Sequence, residues 1–224
     1  MPRIALIHAT RVAIDPIENA AGKLWPEAET VSILEEGLSA DRQKSKDLSA
    51  GLRDRIVSLA RYAESITPDG ILFTCSAFGP AIEAAAKGSP VPIMKPNEAM
   101  FDAALALGTR IAMIFTFPPS APSLEDEFRD AAAARGGRAV LTSYFCDGAL
   151  DAKRQGDDAA HDRLVAETAG RIADADAIML AQFSMAGAAN EARRLTNMPV
   201  LTSPESAITE IRRRVEAKES LRAC

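Results

Sequence analysis

The stretch Asp69-Gly70-Ile71-Leu72-Phe73-Thr74-Cys75-Ser76-Ala77-Phe78-Gly79-Pro80 decides the fold. Its apolar centre, Ile71 to Phe73, reads as a buried strand. A glycine-containing turn follows and leads into a helical pattern over Pro80 to Ala86. Open α/β sheets bind ligands outside the carboxyl ends of their strands. Cys75 is therefore delivered to the place where chemistry is expected.

The same strand signal returns further along the chain. Asp69-Gly70-Ile71 is echoed by Asp176-Ala177-Ile178, and Arg3-Ile4-Ala5-Leu6-Ile7 by Arg110-Ile111-Ala112-Met113-Ile114, where 110 − 3 = 107. Pro92 and Pro199, at the same offset, each open a further short apolar run. Three strand signals sharing one offset imply two similar halves, 1–106 with Cys75 and 107–224 with Gln182 and Ser184, the last helix being free to cross back to the first half. Helical patterns lie between the runs at Leu52 to Ile66, Leu124 to Ala134, Asp158 to Ala173, Ala186 to Leu195 and Glu205 to Ala217, with another opening at Lys95-Pro96-Asn97-Glu98. Alternating strands and helices predict α/β architecture: two pseudo-symmetric, doubly wound parallel-sheet halves, with a ligand cleft between them. Ser203 is read as the N-cap of the last helix, with Pro204 at its first position. The segment Ile14 to Ser45, with Pro16 and Pro26, reads as a loop with one short strand.

Bulk properties narrow the function. The net charge is −5, and the one basic cluster, Arg212-Arg213-Arg214, falls in a helical pattern and reads as a solvated face, which disfavours nucleic-acid binding. No apolar run approaches the roughly 18 residues that span a bilayer, and the amino terminus lacks the long apolar region of a signal peptide. The 3 cysteines, Cys75, Cys146 and Cys224, show neither a disulfide framework nor a metal spacing, so a reducing cytoplasm is the expected location and no metal site is expected. P-loop and dinucleotide fingerprints are absent.

Cys75 is the leading catalytic candidate, as nucleophile or proton carrier, provided its pKa falls from about 8.5 toward neutrality. Backbone N–H groups gathered over Ser76 to Gly79 would act in that direction. His8, after the first strand, suits a base or a carboxylate ligand, or equally a hydrogen-bonded structural role. His161 reads as a surface residue, Cys146 as core or loop filling within reach of a strand end, and Cys224 as a terminal residue. Hydroxyls for anchoring a substrate carboxylate are Thr10, Ser76, Thr116, Ser120 and Thr202. Trp25, Phe78, Phe117 and Phe183 would make an apolar wall or pack in the core.

The string Asp-Gly-Ile-Leu-Phe-Thr-Cys-Ser, with its echo at Asp176, resembles the aspartate/glutamate/hydantoin racemase superfamily over nearly the whole chain. The resemblance implies a cofactor-independent enzyme acting on the carbon next to a carboxylate of a small substrate, in which two cysteines, one from each half, exchange a proton across that carbon. It also implies relatives that work with one cysteine, such as arylmalonate decarboxylase, and maleate isomerase. Relatives are commonly dimers, so a homodimer is expected. One departure stands out: the position 107 after Cys75 is Gln182, which has no useful base. Ser184, two residues on, is the nearby hydroxyl. An isomerase is the first expectation, and a single-cysteine decarboxylase or a small-acid-binding protein the alternatives.

Overall fold

The computed structural model describes residues 1–45 and 47–223, so Cys224 lies outside the described residues. In chain order the first stretch runs β1 (Arg3–His8), α1 (Ile14–Leu24), β2 (Glu29–Leu34), α2 (Gly37–Lys44), α3 (Ala50–Ser65), β3 (Gly70–Phe73), α4 (Gly79–Ala86) and β4 (Ile93–Met94). The second runs α5 (Glu98–Leu107), β5 (Arg110–Phe115), α6 (Ala121–Ala134), β6 (Val140–Phe145), α7 (Ala149–Arg154), α8 (Asp158–Gly170), β7 (Ala177–Leu180), α9 (Ala189–Leu195), β8 (Val200–Thr202) and α10 (Ser203–Ala223). Each stretch carries one four-stranded sheet, ordered β2-β1-β3-β4 and β6-β5-β7-β8, and every strand pair is parallel. The α/β class and the doubly wound parallel sheets read from the sequence are what the structure contains.

The repeat has a physical origin at the amino ends of the strands. Asp69 donates its amide to the Arg3 carbonyl at 2.7 Å and accepts the Arg3 amide on its carboxylate at 2.8 Å. Asp176 does the same to Arg110, at 2.6 and 2.9 Å. Ile71 and Ile178 donate to the carbonyls of Pro92 and Pro199, both at 2.9 Å. The aspartates thus set the register of each central strand pair, and the prolines start the strand beside it without needing an amide donor. Pairing then buries β3 and β7 along their whole length, which is why both read as unbroken apolar runs. The offset holds for three strand pairs but not for the outer ones: 140 − 29 = 111 for β6 and β2.

Three expectations are corrected. The boundary falls at 96/97 rather than 106/107: the chain divides into Met1–Pro96 with the chain from Ala207 onward, and Asn97–Ser206. α5 belongs to the second unit because Met100, Phe101 and Ala104 pack in one cluster with Ile111, Met113 and Met179. α10 leaves the second unit at Ser206, and its later turns pack on the first, so closely that a Cβ on Gly70 would lie 2.9 Å from Ile211 Cδ1.

The segment Ile14 to Ser45 is helix, strand, helix rather than loop. Pro16 sits in the first turn of α1, where its missing N–H has no helical partner to lose, and Pro26 follows the end of that helix. The cap of α10 is Thr202, whose hydroxyl accepts the Glu205 amide at 3.4 Å and contacts the Glu205 carboxylate at 2.9 Å. Ser203 instead donates to Asn97 Oδ1 at 2.6 Å inside the second unit. The arginine triplet is paired along α10, Arg212 with Glu216 and both Arg213 and Arg214 with Glu210.

Candidate active site

In the first unit, β3 ends at Phe73, and the chain stays extended through Cys75 (φ −126°, ψ 123°) before a tight turn over Ser76–Phe78 enters α4. Side chains alternate along this run. Ile71, Phe73 and Cys75 face the cluster that holds Ile7, Ile56 and Phe78. Leu72 and Thr74 therefore point to the other face. Cys75 keeps partial exposure as a residue, and the nearby Ala77 amide works to lower its thiol pKa. Arg42 of α2 reaches the same turn: its Nε donates to the Ala77 carbonyl at 3.3 Å and its Nη1 to the Ser45 carbonyl at 2.7 Å.

Burial pushes the Cys75 thiol above its ordinary value, and the Ala77 amide and the Arg42 charge pull it back only in part. The backbone donors expected to lower it are there, but desolvation of the thiolate outweighs them. At neutral pH the thiol is protonated. Arg42 went unnoticed in the sequence, because the segment carrying it read as a loop.

His8 shares its face with Thr74, not with Cys75. It is fully buried, with Nδ1 2.9 Å from Thr74 Oγ1 and Nε2 3.1 Å from Ser32 Oγ. Ser32 donates its hydrogen to Glu18 at 2.7 Å, and Thr74 Oγ1 donates to the Ile7 carbonyl at 3.3 Å, so both hydroxyls have acceptors besides the ring. Burial holds the imidazole pKa down at about 4, although the Glu18 charge works against it. The ring is neutral and both nitrogens are engaged within the protein. Thr10 and Ser76 are partly exposed, and among the described residues their hydroxyls have no side-chain partner in the structure.

In the second unit, Gln182 stands where Cys75 stands in the first (φ −116°, ψ 147°). Its Oε1 accepts the Thr116 amide at 3.0 Å, and its Nε2 donates to Ser120 Oγ at 3.0 Å. Ser120 in turn donates to the Phe117 carbonyl at 2.8 Å. Gln182, Thr116 and Ser120, three of the candidates, are thus brought into one network that pins the loop after β5. Ser184 is half-buried, and its hydroxyl has no partner among the described residues. Thr202 is committed to the start of α10.

Other candidates lie in the core. Cys146 is buried, takes a contact from Thr168 Oγ1 at 3.4 Å, and its thiol is raised by burial. His161, read as a surface residue, is 1% exposed, with Nδ1 2.7 Å from Asp162 and Nε2 buried without a partner. Its place on α8 at the spacing of Val165 and Ala169 was the available signal. Phe78, Phe183 and Trp25 are buried, Trp25 beneath the Arg212 guanidinium at 5.9 Å. Only Phe117 of the proposed aromatic wall is partly exposed. Among the described residues no cluster of His, Cys, Asp or Glu is arranged to hold a metal ion, and no helix is long and apolar enough to cross a membrane.

The architecture is shared with solved racemases and a decarboxylase. Allantoin racemase from Klebsiella pneumoniae superposes with a TM-score of 0.76 at 19% identity, covering 97% of this chain and 89% of that one. Glutamate racemase from Bacillus anthracis gives 0.71 at 12% identity, covering 97% and 82%. An arylmalonate decarboxylase variant in its liganded form, with one glycine changed to cysteine and one cysteine to serine, gives 0.68 at 18%, covering 96% and 93%. No curated protein matches the chain in sequence. The family model for Asp/Glu/Hydantoin racemase matches residues 8–211. The chain belongs to that family.

Proposed function

We propose that this protein is a cofactor-independent enzyme of the racemase type, moving a proton at the carbon α to a carboxylate of an amino acid or related small acid, with Cys75 as the thiol acid/base. One observation carries the reading: in a member of this family, a thiol stands two residues past the end of β3, before a turn whose Ala77 carbonyl is held by the Arg42 guanidinium. The resting thiol is protonated, the form that delivers a proton to carbon. The thiolate left behind is favoured by the Ala77 amide and the Arg42 charge until it takes a proton back. Ser76 and Thr10 supply hydroxyls for the carboxylate. In the isomerase reading the α-carbon's C–H bond breaks toward the thiolate form of Cys75, the electron pair stays on the carbon, and a proton then returns from the thiol or from solvent.

A second reading is favoured by Gln182. Its amide cannot act as a base and is tied to Thr116 and Ser120. Decarboxylation needs only one proton donor. The bond from the α-carbon to a carboxylate breaks, carbon dioxide leaves, and the electron pair remains on the α-carbon until the Cys75 S–H protonates it.

Both readings are tested by incubating the protein in D₂O with a panel of amino acids, hydroxy acids and disubstituted malonates. Solvent deuterium at the α-carbon without carbon dioxide is the result expected of the first. Carbon dioxide with deuterium in a single enantiomer is expected of the second. Binding of small acids by calorimetry without either reaction would overturn both and leave a binding protein.

A further inference from the structure

The sequence marks the thiol but not what tunes it. Arg42 lies on α2, 33 positions before Cys75 (75 − 42 = 33), and meets the thiol turn with one arm of its guanidinium. Its Nε holds the carbonyl of Ala77, two residues past Cys75, at 3.3 Å. Its Nη1 holds the Ser45 carbonyl at the end of its own helix, and Ser45 Oγ donates back to the Asp41 carbonyl at 3.2 Å. The guanidinium fork therefore joins the end of α2 to the turn after Cys75, in the planar two-donor geometry that a lysine does not reproduce.

We propose that Arg42 is the positioning residue of Cys75, clamping through the Ala77 carbonyl the turn that follows the thiol and bringing its guanidinium to that turn. The inference rests on Cys75 being the reacting thiol.

The neighbouring charges support this assignment. On α2, Asp41 pairs with Arg55 of α3 at 2.7 Å and with Lys44 at 3.5 Å. Arg55 also holds Glu35. On α4, Glu83 pairs with Lys95 at 2.6 Å. His8 is neutral and lies on the other face of the sheet. Of all these groups, Arg42 is the one whose charge registers at the thiol.

The test is the pH dependence of Cys75 alkylation by iodoacetamide, with the modified residue identified by mass spectrometry, in wild type, Arg42→Gln and Arg42→Lys, each checked for folding by circular dichroism. Arg42→Gln is expected to raise the midpoint by about half a pH unit to one unit, an alkylation rate about 3- to 10-fold lower at a fixed pH below the midpoint. Arg42→Lys keeps charge without the fork and is expected to fall between the other two. A folded Arg42→Gln with the wild-type midpoint overturns the proposal. Should Arg42→Gln fail to fold, Arg42→Lys alone decides, and a wild-type midpoint in it overturns the clamp. The titration reads the thiol whether or not substrate turns over. A shifted midpoint without turnover on any acid therefore overturns the proposed reaction and leaves Arg42's role standing.

Discussion

Cys75 and Gln182 hold equivalent places on equivalent strands, 182 − 75 = 107, each extended and each followed by a tight helical turn. The backbone treats them alike: Thr74 donates to the Ile7 carbonyl at 3.0 Å, and Ala181, its counterpart, to the Ile114 carbonyl at 3.0 Å. What differs is the group presented. One unit offers a proton, and the other an amide already bound to its own loop.

If Cys75 carries the proton, Cys75→Ser removes the transferable thiol with little change in shape. Deuterium incorporation or carbon dioxide release on any substrate found should fall at least about 100-fold, with the melting temperature near that of wild type. Retained turnover would remove the thiol from the mechanism.

Gln182→Ala leaves the Thr116 amide and the Ser120 hydroxyl without the partner they have now. The expected loss is about 1 to 2 kcal/mol of stability by urea denaturation, with the loop after β5 becoming more accessible to protease. An unchanged midpoint would mean that water replaces the glutamine at no cost.

His8 contributes to pH dependence in a definite direction. Its pKa is about 4 in the fold and about 6.5 in the unfolded chain. Between those values the unfolded state binds the extra proton, so stability falls as the pH drops from 6.5 toward 4. The full effect is about 3 kcal/mol. His8→Asn should remove that slope, as read from denaturation midpoints measured across the interval. A slope that persists in the variant assigns the acid sensitivity to other groups.

Asp176 works at lower pH. The Arg110 amide, the Arg110 side chain and the Thr109 amide hold its carboxyl down at about 2. Its contribution is complete above the ordinary aspartate range and is lost as the pH falls from there through about 2. Asp176→Asn should lower the melting temperature at pH 7, and the gap to wild type should close toward pH 2. A gap that is independent of pH would make the effect one of shape rather than charge.

Much of this was legible in the strings themselves. Asp69 and Asp176, Pro92 and Pro199, and the paired apolar runs are local patterns, and each marks a backbone bond that forms the sheet. Cys75 and Gln182 could be aligned for the same reason. Arg42 could not be found, because a polar helix of eight residues carries no periodic apolar signal, and what matters is which turn it reaches. His8 was placed near the thiol by its position at the end of a strand. Register and side-chain alternation, which the sequence does not fix by itself, put it on the opposite face with Thr74. Pro16 concealed α1 because a proline inside a helical pattern reads as a breaker, although in the first turn it breaks nothing.

The two aspartates at the amino ends of the strands have one further consequence. Everything that sets register in a unit, from the carboxylate clasp to the proline-led neighbour, sits at one rim of the sheet, while Cys75 and Gln182 sit at the other. The bonds that build the sheet and the two positions that differ between the units thus lie at opposite margins, and a residue at the second margin can be exchanged without disturbing the instructions that build the unit. Such a scaffold can keep its architecture while the equivalent positions of its two halves carry different groups, a free thiol in one and an amide tied to its own loop in the other.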